Sequence, residues 1–477
     1  MSFIVVLAAL CFLMWVAYRG HSVILFAPIA ALGAVLLTDP SLVAPMFTGL
    51  FMEKTAGFLK LYFPVFVLGA VFGKLIELSG FSTAIVTAAI RVFGKQRAML
   101  SIVAVSALLT YGGVSLFVVV FAVYPFAAEL FRQADIPKRL IPGTIALGAF
   151  TFTMDALPGT PQIQNIIPTS FFGTNAWAAP WLGVVGAAFI FMLGMSYLEW
   201  RRRAAHAKGE GYGSGHGNEP APFSGEHLPH PVLALLPLVL VGISNKWFTG
   251  AIPKLYGESH SFDPAVIGSA APVVQEVAKV SAIWAVQAAL LIGILSVIAL
   301  AWKPVMAAFA DGTKSAIGGA LLASMNTASE YGFGAVIAAL PGFLIVANAL
   351  SAIPNPLVNE AVSVTALAGI TGSASGGMSI ALAAMSESFI ANANAAGIPL
   401  EVLHRVAAMA SGGMDTLPHN GAVITLLAVT GLSHRQSYAD IFAITLVKTS
   451  AVFVVIGVYL ATGLYSGYTT AQRRSRL

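Results

Sequence analysis

The segment Asp155-Ala-Leu-Pro-Gly-Thr-Pro-Gln-Ile-Gln-Asn165 interrupts an otherwise apolar run, and a shorter version, Asp415-Thr-Leu-Pro-His-Asn-Gly421, returns in the second half of the chain. Proline removes a backbone donor and opens a helix, and inside a membrane every freed backbone group must find a partner in protein or water. A carboxylate at that depth is costly and is a functional candidate by default. The two segments therefore predict two broken helices with their breaks facing a polar centre.

The surroundings justify the membrane premise. Of 477 residues, 57% are hydrophobic and 9% are charged, against roughly 25% charged in soluble domains. Apolar stretches such as Phe3 to Tyr18, His21 to Leu37, Ala178 to Leu198, Val280 to Ala301 and Ile441 to Leu464 recur from end to end. Several approach the ~20 residues a helix needs to cross the hydrocarbon core. The first lacks a basic leader and is followed at once by another, so it reads as a retained span. Cys11 is the single cysteine, which leaves neither a disulfide framework nor a cysteine metal site. A net charge of +5 reflects topology rather than nucleic-acid binding, because basic residues gather in cytoplasmic loops. The 46 glycines and 25 prolines suit helices that break around cavities.

A hydrophilic interval, residues 200–230, begins Trp200-Arg-Arg-Arg203 and continues through a glycine-rich run. Its composition predicts a flexible linker, and its arginines, like Arg473-Arg474-Ser475-Arg476 at the end of the chain, predict a cytoplasmic position. A second polar interval, about Lys246 to Lys279, predicts an external loop. The linker divides the chain into a membrane half at 1–199 and another at 231–477. Gly112-Gly113-Val-Ser115 returns as Gly376-Gly377-Met-Ser379, Ala134-Asp-Ile-Pro137 as Ala396-Gly-Ile-Pro399, and Asp155-Ala-Leu-Pro158 as Asp415-Thr-Leu-Pro418. The offsets drift only from 264 to 262 to 260, and a weaker match pairs Gly80-Phe81 with Gly332-Phe333. The expected fold is an all-α polytopic membrane protein made of two related, inverted repeats. Such duplication is the architecture of many secondary transporters, whose sites lie between the repeats near the bilayer midplane.

The first interruption in each half is the Gly-Gly-x-Ser element. Met99 to Tyr124 is long for one crossing, so a re-entrant hairpin with its tip near Tyr111 to Ser115 is expected, matched by a serine-rich tip, Thr371 to Ser379. Glycine admits a ligand close to the backbone, hydroxyls add ligands, and helix N-termini starting there favour an anion. Close helix packing through small residues is the alternative reading. The candidate binding residues are Gly112, Gly113, Ser115, Asp155, Thr160, Gln162, Asn165, Ser373, Ser375, Gly376, Gly377, Ser379, Asp415, His419 and Asn420. Asp155 and Asp415 would either carry a coupling proton or cap the half-helices that follow them. His419 has an ordinary pKa suited to proton coupling, and Gln162, Gln164, Asn165 and Asn420 donate without adding charge. Lys74, Glu77, Glu129, Asn326, Glu330, Asn348, Asn355, Glu387, Asn392 and Asn394 also lie within apolar runs. Local pairing or snorkelling at the interface is the expectation for Lys74 and Glu129, and Lys74 and Glu77, at i and i+3, can satisfy each other. No phosphate-binding loop, His-Glu-x-x-His or Gly-x-Ser-x-Gly occurs, which disfavours ATP-driven transport and membrane hydrolases.

The run Leu68-Gly-Ala-Val-Phe-Gly-Lys-Leu-Ile-Glu77-Leu-Ser-Gly80, then Gly112-Gly113-Val-Ser115-Leu-Phe, then Asp155-Ala-Leu-Pro-Gly-Thr-Pro161, resembles the gluconate permease (GntP) family of bacterial proton symporters. The resemblance implies the fold of the ion transporter superfamily, with a re-entrant hairpin and a broken helix in each repeat. It implies a homodimer in the bacterial inner membrane that takes up a small organic anion with protons by an elevator-like displacement, without cofactor or metal. The segment around Pro158 lacks a histidine expected of gluconate-specific members, which turns the expectation from a sugar acid toward a smaller hydroxy acid such as 3-hydroxybutyrate. Sodium coupling and a passive anion channel are the alternatives.

Overall fold

The computed structural model describes residues 2–19, 21–94, 97–220, 228–268, 273–418 and 420–466. The protein is an all-α polytopic membrane protein. Six helices among the described residues are long and apolar enough to cross a bilayer, and a seventh such span, Phe309–Ala339 with Pro341–Leu350, is bent by 83°. The only described sheet is a two-stranded antiparallel hairpin, β1 (Ser259–Phe262) with β2 (Val273–Glu276). Large apolar side chains such as Leu37, Met192, Ile243 and Leu295 point outward, as a lipid-facing surface requires.

The first half runs α1 (Ser2–Tyr18), α2 (Val23–Thr38), α3 (Glu53–Leu78, preceded by helical turns from Pro40), α4 (Phe81–Phe93), α5 (Ala98–Tyr111), α6 (Leu116–Gln133), α7 (Ile141–Ala149), the single turn α8 (Phe152–Asp155), α9 (Ile163–Phe172) and α10 (Pro180–His206). The second half runs α11 (Pro231–Tyr256), α12 (Val277–Leu300), α13 (Phe309–Ala339), α14 (Pro341–Ser351), α15 (Pro356–Thr371), α16 (Ala374–Ala395), α17 (Leu400–Gly412), α18 (Gly421–Thr430) and α19 (His434–Thr462). The order of elements recurs: two helices, a long one, a short one, a helical hairpin, a broken helix and a final span. Packing is reciprocal as well. α1 lies on α14 as α11 lies on α4, α2 on α13 as α12 on α3, and α9 on α16 as α18 on α6. Local geometry repeats too, since α9 and α18 both end in left-handed glycines, Gly173 at φ 62 and Gly431 at φ 65.

The hairpins form where glycine and serine end one helix and start the next. α5 stops at Tyr111, and the chain turns through Gly112 to Ser115 before α6. At 14 residues α5 is too short to cross alone, and α9 and α18 have 10 each. The second turn corrects the expected register. It closes at Gly372, left-handed at φ 67, and Ser373 caps α16 by accepting from Gly376 N at 3.1 Å. Gly376-Gly377 therefore lies inside α16 and is not equivalent to Gly112-Gly113. The match of Gly80-Phe81 with Gly332-Phe333 fails for the same reason: Gly80 follows the end of α3, whereas Gly332 lies within α13. In so small-residue-rich a chain, dipeptide matches slide easily along a helix.

The expected flexible linker is also different. Helix α10 continues through Trp200 to His206, because Glu199 pairs with Arg202 and Arg203 along its own face. Residues 207–219 then dock on the protein. Glu210 pairs with Arg139 at 2.6 Å, Glu219 with buried Lys138 at 2.9 Å, and Asn218 Nδ2 donates to Ala428 O at 2.8 Å. Beneath them Asp440 accepts from Arg201, Arg139 and Tyr197. The interval about Lys246 to Lys279 is likewise not all loop, since α11 reaches Tyr256 and α12 starts at Val277. The arginines at 473–476 lie outside the described residues.

Candidate functional site

Each break opens beside its own half's hairpin, while the short half-helix that follows it packs on the opposite half's hairpin, α9 on α16 and α18 on α6. α7 and α8 end at Asp155, the chain crosses an irregular loop, and α9 begins at Ile163. In the second half α17 passes into a 3-10 turn, Gly413–Thr416, and α18 begins at Gly421. One hydrogen bond joins the two breaks: Gln164 Nε2 donates to Asp415 Oδ2 at 2.9 Å. The loop Pro158 to Gln162 is tied to the first hairpin, with Tyr111 OH donating to Pro158 O at 2.8 Å and Gln162 Nε2 to Thr110 O at 2.7 Å.

Neither aspartate caps the half-helix after it. Asp155 is buried and forms an ion pair with Lys448 of α19 at 2.8 Å, while Lys448 also donates to Phe150 O at 2.6 Å. Gly412 makes room for this pair, because a Cβ there would stand 1.8 Å from Asp155 Oδ2. Asp415 reaches across to the second hairpin and accepts from Ala374 N at 3.1 Å, so it caps α16. The half-helix after it is capped instead by Asn420, which accepts from Ala422 N at 2.7 Å and donates to Gly372 O at 2.9 Å.

Asn165 is the hub of the first break. Its Nδ2 donates to Thr160 O and Ala176 O, both at 2.9 Å, and its Oδ1 accepts from Arg405 Nη1 at 3.0 Å and lies 3.2 Å from His404 Nε2. Arg405 is fully buried, and its guanidinium also donates to Asp155 O at 2.6 Å and Ala178 O at 2.8 Å. It satisfies the Asp155 carbonyl that the broken helix leaves unpaired and the Ala178 carbonyl in the loop before α10. Buried Lys448 and Arg405 thus bring two cations to a centre whose aspartates are Asp155 and Asp415. The Thr110 and Thr160 hydroxyls and Gln164 Oε1 are buried without a hydrogen-bond partner among the described residues, which a polar ligand would supply.

The remaining expected residues divide. Gly113, at φ 99, turns the first tip, and a Cβ there would stand 3.2 Å from Pro161. Gly112 faces Leu238 of α11, and Ser115 is the N-cap residue of α6 without a side-chain cap bond. Ser373 and Ser375 lie together at the second tip, 3.5 Å between hydroxyls. Gly377 serves packing, since a Cβ would stand 2.1 Å from Ala368 Cα on the other arm. Ser379 turns back to donate to Ser375 O at 2.6 Å and is not at the tip. His419 lies outside the described residues. Lys74 pairs with Glu77 at 2.7 Å, as the i, i+3 spacing implies.

Three residues of the centre escaped the sequence reading: His404, Arg405 and Lys448. Each stands in an apolar run, and the rule that singled out Asp155, that an ionisable group at membrane depth is functional by default, applies equally to them. A cavity of about 640 Å³ opens beside the first tip, lined by Tyr111, Gly112, Trp177 and apolar residues of α11. Lys246 stands 4.6 Å over the Trp177 ring at its edge.

No family model matches the chain. Over 473 residues it is 61% identical to the uncharacterized transporter YxjC of Bacillus subtilis strain 168, across 97% of this chain and 100% of that one. The chain belongs to the YxjC transporter family. That relative is named as a transporter, and its name specifies no substrate. Among solved structures, the Alcanivorax borkumensis YdaH transporter, described as having an unusual topology, aligns with a TM-score of 0.48 at 15% identity, covering 91% of each chain.

Proposed function

We propose that this YxjC-family protein is a secondary active transporter of the gluconate permease (GntP) class that takes up a small organic anion with protons. A hydroxy-monocarboxylate such as 3-hydroxybutyrate, or gluconate, is the cargo. Its place is the bacterial inner membrane, and it works as a homodimer whose two inverted halves, 1–199 and 231–477, hold the cargo between them.

The observation that carries this reading is the buried polar centre at the Gln164 to Asp415 bond, where both broken helices meet. Lys448 and Arg405 balance Asp155 and Asp415, so a monoanion brings one uncompensated negative charge into a low-dielectric region. A proton travelling with it cancels that charge, which lowers the cost of moving the loaded centre across the hydrocarbon layer. The hydroxyls of Thr110 and Thr160 and the Gln164 amide are suited to a hydroxy acid. Short helices packed across the halves, α9 on α16 and α18 on α6, form a body that an elevator-like displacement would move as a unit.

Uptake of radiolabelled 3-hydroxybutyrate, gluconate, lactate and citrate into proteoliposomes tests the reading. Accumulation driven by an inward proton gradient is expected for at least one of them. Uptake indifferent to the gradient but stimulated by sodium would replace proton with sodium coupling, and flux without accumulation would indicate a passive anion channel.

A further inference from the structure

We infer that Glu330 carries the coupled proton, resting on the proton-symport reading above. Glu330 lies in α13, is 4% exposed, and its Oε2 has no hydrogen-bond partner among the described residues. It is pressed against the second tip, because a Cβ at Gly376 would stand 1.6 Å from Oε2. Thr327, one turn earlier on the same face of α13, has its hydroxyl 3.3 Å from that of Ser375, which lies 3.5 Å from Ser373 Oγ. The carboxyl therefore sits at the start of α16 beside a chain of hydroxyls, which donate or accept as a proton passes.

The other acidic groups of the centre are committed. Asp155 is held by Lys448 at 2.8 Å, and Asp415 accepts from Ala374 N and Gln164. A carboxylate with a cation or with two donors already in place has little reason to take a proton. Among the described residues no cation pairs with Glu330. The elements packed on this part of α13 bring Thr55, Phe58 and Tyr62 from α3, Ser373 at the N-cap of α16, whose hydroxyl reaches the Glu330 carboxyl, and Ser375 and Gly376 from α16. Tyr62 is committed to Ile167 O at 3.1 Å, and the charge that reaches Glu330 is that of Asp415. An ionised Glu330 would thus oppose both Asp415 and an anion bound at the centre beside it, whereas a protonated one admits the anion. That is the sign symport requires: proton binding and anion binding favour each other.

Glu360 is the rival, being fully buried with neither carboxylate oxygen partnered among the described residues. It stands on α15 roughly 17 Å from the second tip at 1.5 Å per residue, too far to feel the cargo directly. The device is confined to one half: counted from the helix C-terminus, Glu330 falls where α3 has Gly69.

The test uses the full chain in proteoliposomes, with whichever labelled acid the wild type accumulates. An inward gradient of about 1 pH unit supports about tenfold accumulation of a monoanion carried one-to-one with a proton. The Glu330→Gln variant is expected to lose gradient-driven accumulation while keeping exchange of labelled for unlabelled acid on the two sides. Accumulation by Glu330→Gln equal to wild type overturns the assignment, as does loss of both accumulation and exchange in a monodisperse variant. If Glu330→Gln does not fold, Glu330→Asp is used: a shifted pH midpoint of uptake supports the assignment, and an unchanged midpoint overturns it. A wild type indifferent to the proton gradient would instead remove the symport reading itself.

Discussion

Lys448 Nζ lies 2.8 Å from Asp155 Oδ2, joining α19 to the break after α8 with both side chains buried. The pair closes a gap that the proline and glycine of the first broken helix open, and it leaves the aspartate unable to act as a free acid. Removing one partner strands a charge, at a cost of about 3–5 kcal/mol. Asp155→Asn and Lys448→Met should each lower the melting temperature of the purified protein strongly, and the double variant should recover most of the loss. Equal destabilisation in the double variant would show that the two side chains do not act as a pair.

Gly412→Ala puts a Cβ 1.8 Å from Asp155 Oδ2 and 2.7 Å from Lys448 Cε. Overpacking of this kind costs about 1–3 kcal/mol. Gly421→Ala, at a position with open space around it, is the control and should be neutral. Thermal unfolding of both variants in detergent decides the point.

Gln164 connects the two halves through Asp415. Gln164→Leu leaves a buried carboxylate short of a donor, worth about 1–3 kcal/mol, and removes Oε1 from the proposed cargo site. The expected result is a raised half-saturation concentration for uptake. Asn420→Ala, which removes a cap, should lower stability by about 1 kcal/mol with a smaller effect on half-saturation. A half-saturation unchanged in Gln164→Leu would place the cargo elsewhere.

Arg139 holds the Glu210 carboxyl below its ordinary value of 4.5, chiefly through their hydrogen bonds. Because the folded value is depressed, this contact contributes fully above 4.5 and is lost as pH falls through the folded value. Glu210 is 40% exposed, so the contribution is at most about 1 kcal/mol. Glu210→Gln should therefore unfold slightly earlier than wild type at neutral pH, and the two melting curves should converge in acid. High salt should narrow the gap at neutral pH.

Much of the fold was legible in residue order. The break at Gly112 to Ser115, the repeated aspartate and proline segments, and the membrane setting follow from apolar runs punctuated by helix-opening residues. The site was legible in part. Asp155, Thr160, Gln162, Asn165, Asp415 and Asn420 do lie at the two breaks; of the two roles open to the aspartates from sequence, proton carrier or cap of the half-helix that follows, the structure removes the second, because each side chain turns to a different element. Gly376 and Gly377 were assigned to a tip that closes several residues earlier at Gly372 and Ser373.

Sequence alone determined that this chain lives in a bilayer and that its helices break twice in each half, since both follow from local chemistry: hydropathy, lost backbone donors and the price of exposed peptide groups in lipid. Only the tertiary structure decided which charge meets which. Asp155 finds Lys448 nearly three hundred residues later, Asn165 finds Arg405, and Glu330 faces Gly376 without a cation among the described residues. Those pairings depend on how helices from the two halves pack, and no spacing along a single segment encodes them.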